Sequence, residues 1–424
     1  MSRTRMGPWG VEATAARLAD LHGALLCGVQ CLGAWIAGVP QLETKVAMAY
    51  HLHDYAELAD QLGQRIYNLT AERPAVPSPA NRALLRFLHE LASLTRAEEQ
   101  VAGLYGVLLP ALLDSCREHL EQANPVADEP TLRLLHPMLE TLENHLIWAS
   151  RQPTDGDAIR RMRLCLDGAG GLHGNEGAVA TSGGAAGSAA FRPVLVPVPA
   201  RDGRFRPLEP GKKMPKAKPL ETPEGRVRLL HIALINLEIP AIEVCGRMIA
   251  EFPESPWAMK LDLARQIWDE ARHAEMCADR LQELGGTLGS FPYHHKVWEH
   301  SIAGETLAER FVTTQRIHEG NGLDQTLLAR DALAAVGDVA TSQIMDFIMA
   351  DEVLHVRSGT RWLNYLVPDE AERTALLKRV EERLGVAAVA GPPVNREGRR
   401  KAGFTEVELD WLVSLRDRRN KPHE

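Results

Sequence analysis

Aromatic residues are scarce in this chain of 424 residues: Trp, Tyr and Phe together make 5% of it. Strands are enriched in such side chains, so a mainly β architecture is not expected. Cysteine is also sparse, with six residues, and that number makes no disulfide framework in a chain this long. Cys27 and Cys31 form a CxxxC one helical turn apart, which reads as a pair of buried thiols in a reducing cytoplasm rather than as a metal motif. An excess of positive charge is missing too. The formal net charge is −8, which excludes electrostatic binding of nucleic acid by the whole surface. The first residues, MSRTRMGPWGVEA, carry no apolar h-region, so a secretory signal is not expected. The longest apolar stretch, about Leu25 to Val39, is interrupted by Gln30 and is shorter than the roughly 18 apolar residues of a membrane span. No G-x-G-x-x-G, flavin motif or cysteine cluster is present, so a nucleotide redox cofactor or an iron–sulfur cluster is not indicated.

What remains is a globular composition, 45% hydrophobic and 25% charged, long enough for two or three domains. Residues 1–166 carry helical spacing, as in Leu18, Leu21 and Leu25 and again in Val46, Ala49 and Tyr50. Pro77, Ser78 and Pro79 break the pattern, and a helix restarts near Asn81. Residues 167–222 are first Gly/Ala/Ser-rich and then Pro- and Lys/Arg-rich, a linker composition in which VLVPV reads as an edge strand or an extended strap. Helical periodicity returns over 223–366, and 367–424 forms a helical extension in which Thr405 and Glu408 have capping-box spacing. The expected fold is all-α, two antiparallel helical bundles joined by a linker.

The second half holds the chemistry. Glu270-Ala271-Arg272-His273 and Glu352-Val353-Leu354-His355 are both ExxH within helical patterns, which puts each Glu and His on one helix face. An apolar helix with a Glu in its stripe precedes each: Glu238 in HIALINLEIPAIE and Glu319 in VTTQRIHEGNGLD. The separations of Glu238 from Glu270 and of Glu319 from Glu352 are nearly equal, as two helical hairpins require. Glu243 and Glu309 compete for the same roles but break the matched spacing. One Glu from each of two helices and ExxH from each of two others is the ligand pattern of di-iron and di-manganese carboxylate bundles. Hard carboxylate oxygens suit iron in both oxidation states, and each imidazole adds one borderline ligand; the set is equally open to manganese or a mixed Mn/Fe pair.

These stretches, with WDEARHAEM, HEGNGLD, MADEVLHVRSGTRW and the tail PPVNREGRRKAGFTEVEL, resemble an uncharacterised ferritin-like family of bacterial proteins over about residues 220–419. More distantly they are similar to a ferritin-like tRNA hydroxylase and other di-iron oxygenases. The resemblance implies that Glu270 and Glu352 bridge two irons, that Glu238 and Glu319 are terminal ligands, and that His273 and His355 each serve one metal. It implies an oxidoreductase that uses O2 to hydroxylate, desaturate or N-oxygenate a small organic substrate, with electrons from a reductase or the substrate. Non-catalytic iron binding or iron oxidation is the alternative. A homodimer and a tRNA substrate stay open. Two departures stand out: Pro240, expected to kink the helix after Glu238, and Gly320 and Gly322 after Glu319, which either widen a pocket or repack locally.

The first half aligns with the second without an ExxH pair. From Lys45 and Lys260, DYAELADQLGQRI falls on DEARHAEMCADRL, placing Tyr55 on Glu270 and Leu58 on His273. The stretch ending HLIWA, laid on MADEVLHVRSG, sets Glu143 against Glu352 and Leu146 against His355. A degenerate copy without a dimetal site is the expectation. His231 is expected beside the metals, His294, His295 and His300 in a surface loop, and Trp268 in the core.

Overall fold

The computed structural model describes residues 7–74, 82–174, 191–385, 389 and 393–419. The chain is all-α: every regular element among these residues is helical, and one isolated bridge joins Pro207 and Tyr293. The expected break at Pro77–Pro79 and the Gly/Ala/Ser run from 175 lie outside the described residues. Val194–Val198 forms no strand; it is a strap, held by Val194 N–H on the Ala92 carbonyl (3.3 Å) and Ala200 N–H on the Ala37 carbonyl (2.8 Å).

The chain divides into two compact units, one of residues 1–39, 47–200 and 249–264, the other of 40–46, 201–248 and 265–424. In chain order the helices of the first half are α1 (Val11–Trp35), α2 (Leu42–Thr70), α3 (Arg82–Ala92), α4 (Ala97–Gly103), α5 (Leu109–Gln122), α6 (Glu129–Ala149) and α7 (Gly156–Gly168). Those of the second are α8 (Pro223–Ala233), α9 (Ile239–Glu251), α10 (Trp257–Glu283), α11 (Lys296–Ile302), α12 (Leu307–Phe311), α13 (Glu319–Ala335), α14 (Val339–Leu366), α15 (Glu370–Leu384), α16 (Arg396–Lys401) and α17 (Glu406–Arg419). Val11–Gly38 and Pro223–Glu251 are long and apolar enough to cross a membrane by length and composition, with mean hydropathies of 1.4 and 1.5. Their most apolar windows are 94% and 78% buried inside the protein, as in core helices.

Helix starts follow capping chemistry. The Thr222 hydroxyl accepts from Gly225 N–H (3.1 Å) ahead of Pro223, and the Asp338 carboxylate from Thr341 N–H (3.1 Å). At α17 the capping box closes both ways: Thr405 Oγ1 accepts from Glu408 N–H (3.3 Å), and Glu408 Oε2 from Thr405 N–H (2.8 Å).

Among the described residues three helices contain a π segment: Leu104–Leu108 between α4 and α5, Leu234–Glu238 between α8 and α9, and Val312–His318 between α12 and α13. The second lies directly before Pro240, where a kink is expected. Ile239 N–H bonds to the Leu234 carbonyl, five residues back, so Pro240 follows a turn that has already changed register and the helix runs on to Glu251. Leu109 N–H on Leu104, followed by Pro110, repeats the device in the first unit.

The C-terminal helices share the core of the second unit. Leu376, Val380, Ala402, Phe404, Leu409 and Leu412 pack with Val312, Ile317, Val356 and Leu363. Arg399 is buried, with Nη2 on Asp324 (2.8 Å) and its guanidinium 5.0 Å from the Phe404 ring centre. A Cβ at Gly320 would lie 2.7 Å from Arg399 Nη1, so that glycine makes room for Arg399 and opens no pocket. Arg399→Ala would strand the buried Asp324 carboxylate. Denaturant unfolding should show a loss of about 3–5 kcal/mol, with Arg399→Lys intermediate because it loses the two-nitrogen grip.

Candidate dimetal site

Four stretches of helix in the second unit carry the site. The π segment before α9 ends on Glu238, α10 carries Glu270 and His273, α13 opens on Glu319 directly after its π segment, and α14 carries Glu352 and His355. All six side chains are buried. Ligand atoms of Glu238, Glu270, His273 and Glu352 lie within 4.8 Å of one another, and so do those of Glu270, Glu319, Glu352 and His355. Glu270 and Glu352 belong to both groups, where bridging carboxylates would stand. Glu238 with His273, and Glu319 with His355, each belong to one.

The imidazoles turn Nδ1 inward. His273 Nδ1 lies 3.2 Å from Glu270 Oε2 and 3.4 Å from Glu238 Oε2; His355 Nδ1 lies 3.2 Å from Glu270 Oε1 and 3.6 Å from Glu352 Oε2. Their outer nitrogens cross between helices. His273 Nε2 meets Asp351 Oδ2 at 3.2 Å, and His355 Nε2 meets Asp269 Oδ2 at 3.3 Å. Each aspartate immediately precedes the ligand glutamate of its own helix and steadies the histidine of the other. Arg272 ties the two together, bonding Asp269 and Asp351 (2.7 Å), while Arg265 Nε adds a second grip on Asp269 (3.1 Å). Such partners fix the tautomer and ring angle of a metal-binding histidine. Sequence reasoning passed over both aspartates, although Asp-Glu-x-x-His recurs in both motifs.

Charge inside the cluster is divided unevenly. Burial pushes Glu238 up to about 8, against the pull of His273. Glu319 is also pushed up, by burial first and then by Glu352 and Glu270. Glu270 is held down because His355 and His273 outweigh its burial. Both histidines are raised, their carboxylate partners outweighing burial. Asp269 is lowered to about 2: His355, Arg265 and Arg272 overcome its desolvation.

The residues fit a pair of cations. Glu352 Oε2 and His355 Nδ1 are buried without a hydrogen-bond partner, at positions where a metal would take both. The donor set is four carboxylates and two imidazoles, suited to Fe or Mn. The competing glutamates are engaged elsewhere. Glu243 is buried against Lys45 and Arg201 (Nη2–Oε2 2.8 Å), and Glu309 pairs with Arg383 (3.2 Å).

Other expectations are redrawn. His231 Nε2 accepts from Gly289 N–H (2.9 Å) between the rings of Phe205 and Phe291, so it anchors a loop instead of the site. His294, His295 and His300 join no metal-spaced group among the described residues; His300 instead stacks on His318. Trp268 is only half-buried, sandwiched by the guanidiniums of Arg265 (4.6 Å) and Arg272 (4.4 Å).

Some hydrogen-bond patterns of the second unit recur in the first. Arg65 bonds Thr131 (2.7 Å) and Asp128 (3.0 Å) as Arg280 bonds Thr341 (2.9 Å) and Asp338 (2.8 Å). His145 Nε2 meets Asp54 at 2.8 Å as His355 meets Asp269. His145, not Leu146, is therefore the counterpart of His355, and Leu142, not Glu143, that of Glu352. Tyr55 and Leu58 are buried at the places of Glu270 and His273, and a Cβ at Gly28 would lie 2.5 Å from the Tyr55 ring. Among the described residues this unit has no metal-spaced group.

Asp351→Ala and Asp269→Ala should each weaken metal binding about 10–100-fold while leaving the helical content unchanged. Competition against a chelator of known affinity measures this; unchanged affinity would place the aspartates outside the metal chemistry.

A protein of Haemophilus influenzae described as "Uncharacterized protein" is 29% identical over 213 residues, which are 48% of this chain and 73% of that protein. No solved structure matches. The model of the family described as "Protein of unknown function (DUF455)" matches residues 175–410, more than half of the chain and all six converging residues, and the chain belongs to that family.

Proposed function

We propose that the second unit is a ferritin-like four-helix bundle holding two iron ions, and that the protein is a non-haem oxidoreductase that uses O2 on a small organic substrate. The observation that carries this is the convergence of Glu238, Glu270, His273, Glu319, Glu352 and His355 in two four-residue groups that share two glutamates. Bound Fe(II) would supply electrons to O2. The chain's own part is to place six ligands, exclude water and steady the imidazoles. His273 and His355 are fixed through Nε2 by Asp351 and Asp269, leaving Nδ1 for a metal. Glu238 and Glu319, raised by burial, give up their protons as cations enter, which relieves carboxylate repulsion in the buried cluster. Manganese or a mixed pair fits the same donors.

The first unit is, on this reading, a degenerate copy in which Tyr55, Leu58 and Leu142 have replaced ligands. The amides Gln266 and, through it, Gln315 stand against Glu270 and Glu319, which supports an organic substrate over iron storage, while Asp351 and Asp269 stand against the histidines. The substrate's identity, a reductase partner and the cytoplasmic setting belong to the proposal.

O2 uptake by anaerobically Fe(II)-loaded protein tests it. With excess Fe(II) and no organic substrate, uptake should stop once the irons of one site are oxidised and resume only on adding a reductant. Continuous oxidation of many Fe(II) per chain would favour the iron-oxidising alternative. Glu270→Ala/His355→Ala should abolish fast uptake.

A further inference from the structure

Among the buried acceptor and imidazole atoms without partners in this part of the second unit are Glu352 Oε2, His355 Nδ1 and Gln315 Oε1. A metal pair accounts for the first two. It leaves the Gln315 carbonyl over. The orientation of that amide follows from its neighbours. Gln266 Nε2 donates to Glu270 Oε1 (3.2 Å) and to Glu319 Oε1 (3.0 Å), so Gln266 must present its carbonyl on the other side. That carbonyl accepts from Gln315 Nε2 (3.2 Å), and the same NH2 reaches Cys245 Sγ (3.7 Å). The donors of Gln315 are thus spent and its acceptor is not, in a side chain with no solvent exposure. Such a group carries its full desolvation cost until something donates to it.

The backbone holds Gln315 in place. It sits in the π segment before Glu319. Its Cβ lies where a methyl at Gly359 would come within 2.3 Å, so α14 gives way to this one side chain. Cys245, its sulfur neighbour, lies within electrostatic reach of Glu319, Glu270 and His355. In the first unit His51, which falls on Gln266 when Lys45 is laid on Lys260, bonds Tyr105 at 2.9 Å, and Gln30 Oε1 is another buried carbonyl without a partner.

We infer that Gln315 Oε1 is the acceptor for a small hydrogen-donating ligand, an O–H or N–H group, seated beside the metal centre against Gln266 and Cys245. The inference rests on the dimetal reading. The donor is either metal-bound solvent or a hydroxyl or amine of the organic substrate, and both use the same acceptor.

The test uses the full chain loaded with Zn(II) for crystallography and with Co(II) for visible spectroscopy. An oxygen within hydrogen-bond distance of Gln315 Oε1 in the Zn(II) form supports solvent. Its appearance only after hydroxylamine is added supports a substrate group. A bare Oε1 in both, with two zinc ions bound, overturns the inference. In Co(II) titrations, Gln315→Leu and Gln315→Met should weaken hydroxylamine about tenfold or more and leave azide, which only accepts, unaffected. Equal hydroxylamine affinity in the wild type and in both variants also overturns it. Metal content is read separately: wild-type protein that binds no metal sinks the dimetal reading itself.

Discussion

Four glutamates buried side by side set the terms for everything around them in the second unit. Carboxylates so close and so dry cannot all be ionised unless cations or protons stand between them. Glu238 and Glu319 are driven toward the protonated form while Glu270 stays charged against two raised imidazoles. The surrounding layer reads as a response to that constraint. Asp269, Asp351 and Arg272 tie the two ExxH helices together from outside. The π segments deliver Glu238 and Glu319 at the points where each helix returns to regular α register. The arrangement has approximate two-fold logic, each helix supplying a metal-facing pair and the clamp for its partner.

The first unit shares several anchors with the second and has no buried glutamate cluster among the described residues. Its arginine, threonine and aspartate anchors persist, as does the aspartate–histidine clamp of Asp54 and His145. Tyr55, Leu58 and Leu142 stand where Glu270, His273 and Glu352 stand in the second unit, His145 keeps the place of His355, and the space Gly28 leaves is filled by the Tyr55 ring. With no carboxylates to neutralise, a close-packed interior is the stable solution. The comparison separates residues with a counterpart in both units, His355 with His145 among them, from those found in the second alone, which include the four buried glutamates and His273.

Much of this was legible in the sequence, because helical period and metal-ligand spacing share one geometry: positions three apart fall on one face. Glu238, Glu270, His273, Glu319, Glu352 and His355 could be read off, and the structure brings them together. The π segments could not. A shift from four- to five-residue bonding leaves no mark in composition. The aspartate before each ligand glutamate was visible yet passed over, since its role depends on a histidine on another helix. A one-residue slip hid the match of His145 to His355; on a helix such a slip turns the side chain by about 100°, and only the contact with Asp54 settles the register. At Gly320 the sequence left a wider pocket and local repacking equally open, because Arg399, which fills the space, lies far along the chain.

The central claim is that the second unit holds two metal ions in the space these six side chains enclose. Anomalous diffraction at the iron or manganese edge, from crystals of metal-loaded protein, tests it most directly. The account predicts two peaks: one ringed by Glu238, His273, Glu270 and Glu352, the other by Glu319, His355 and the same two shared glutamates, with none in the first unit. A structure of loaded protein with no peak among these residues, or with a peak against Tyr55 and His145, would contradict it.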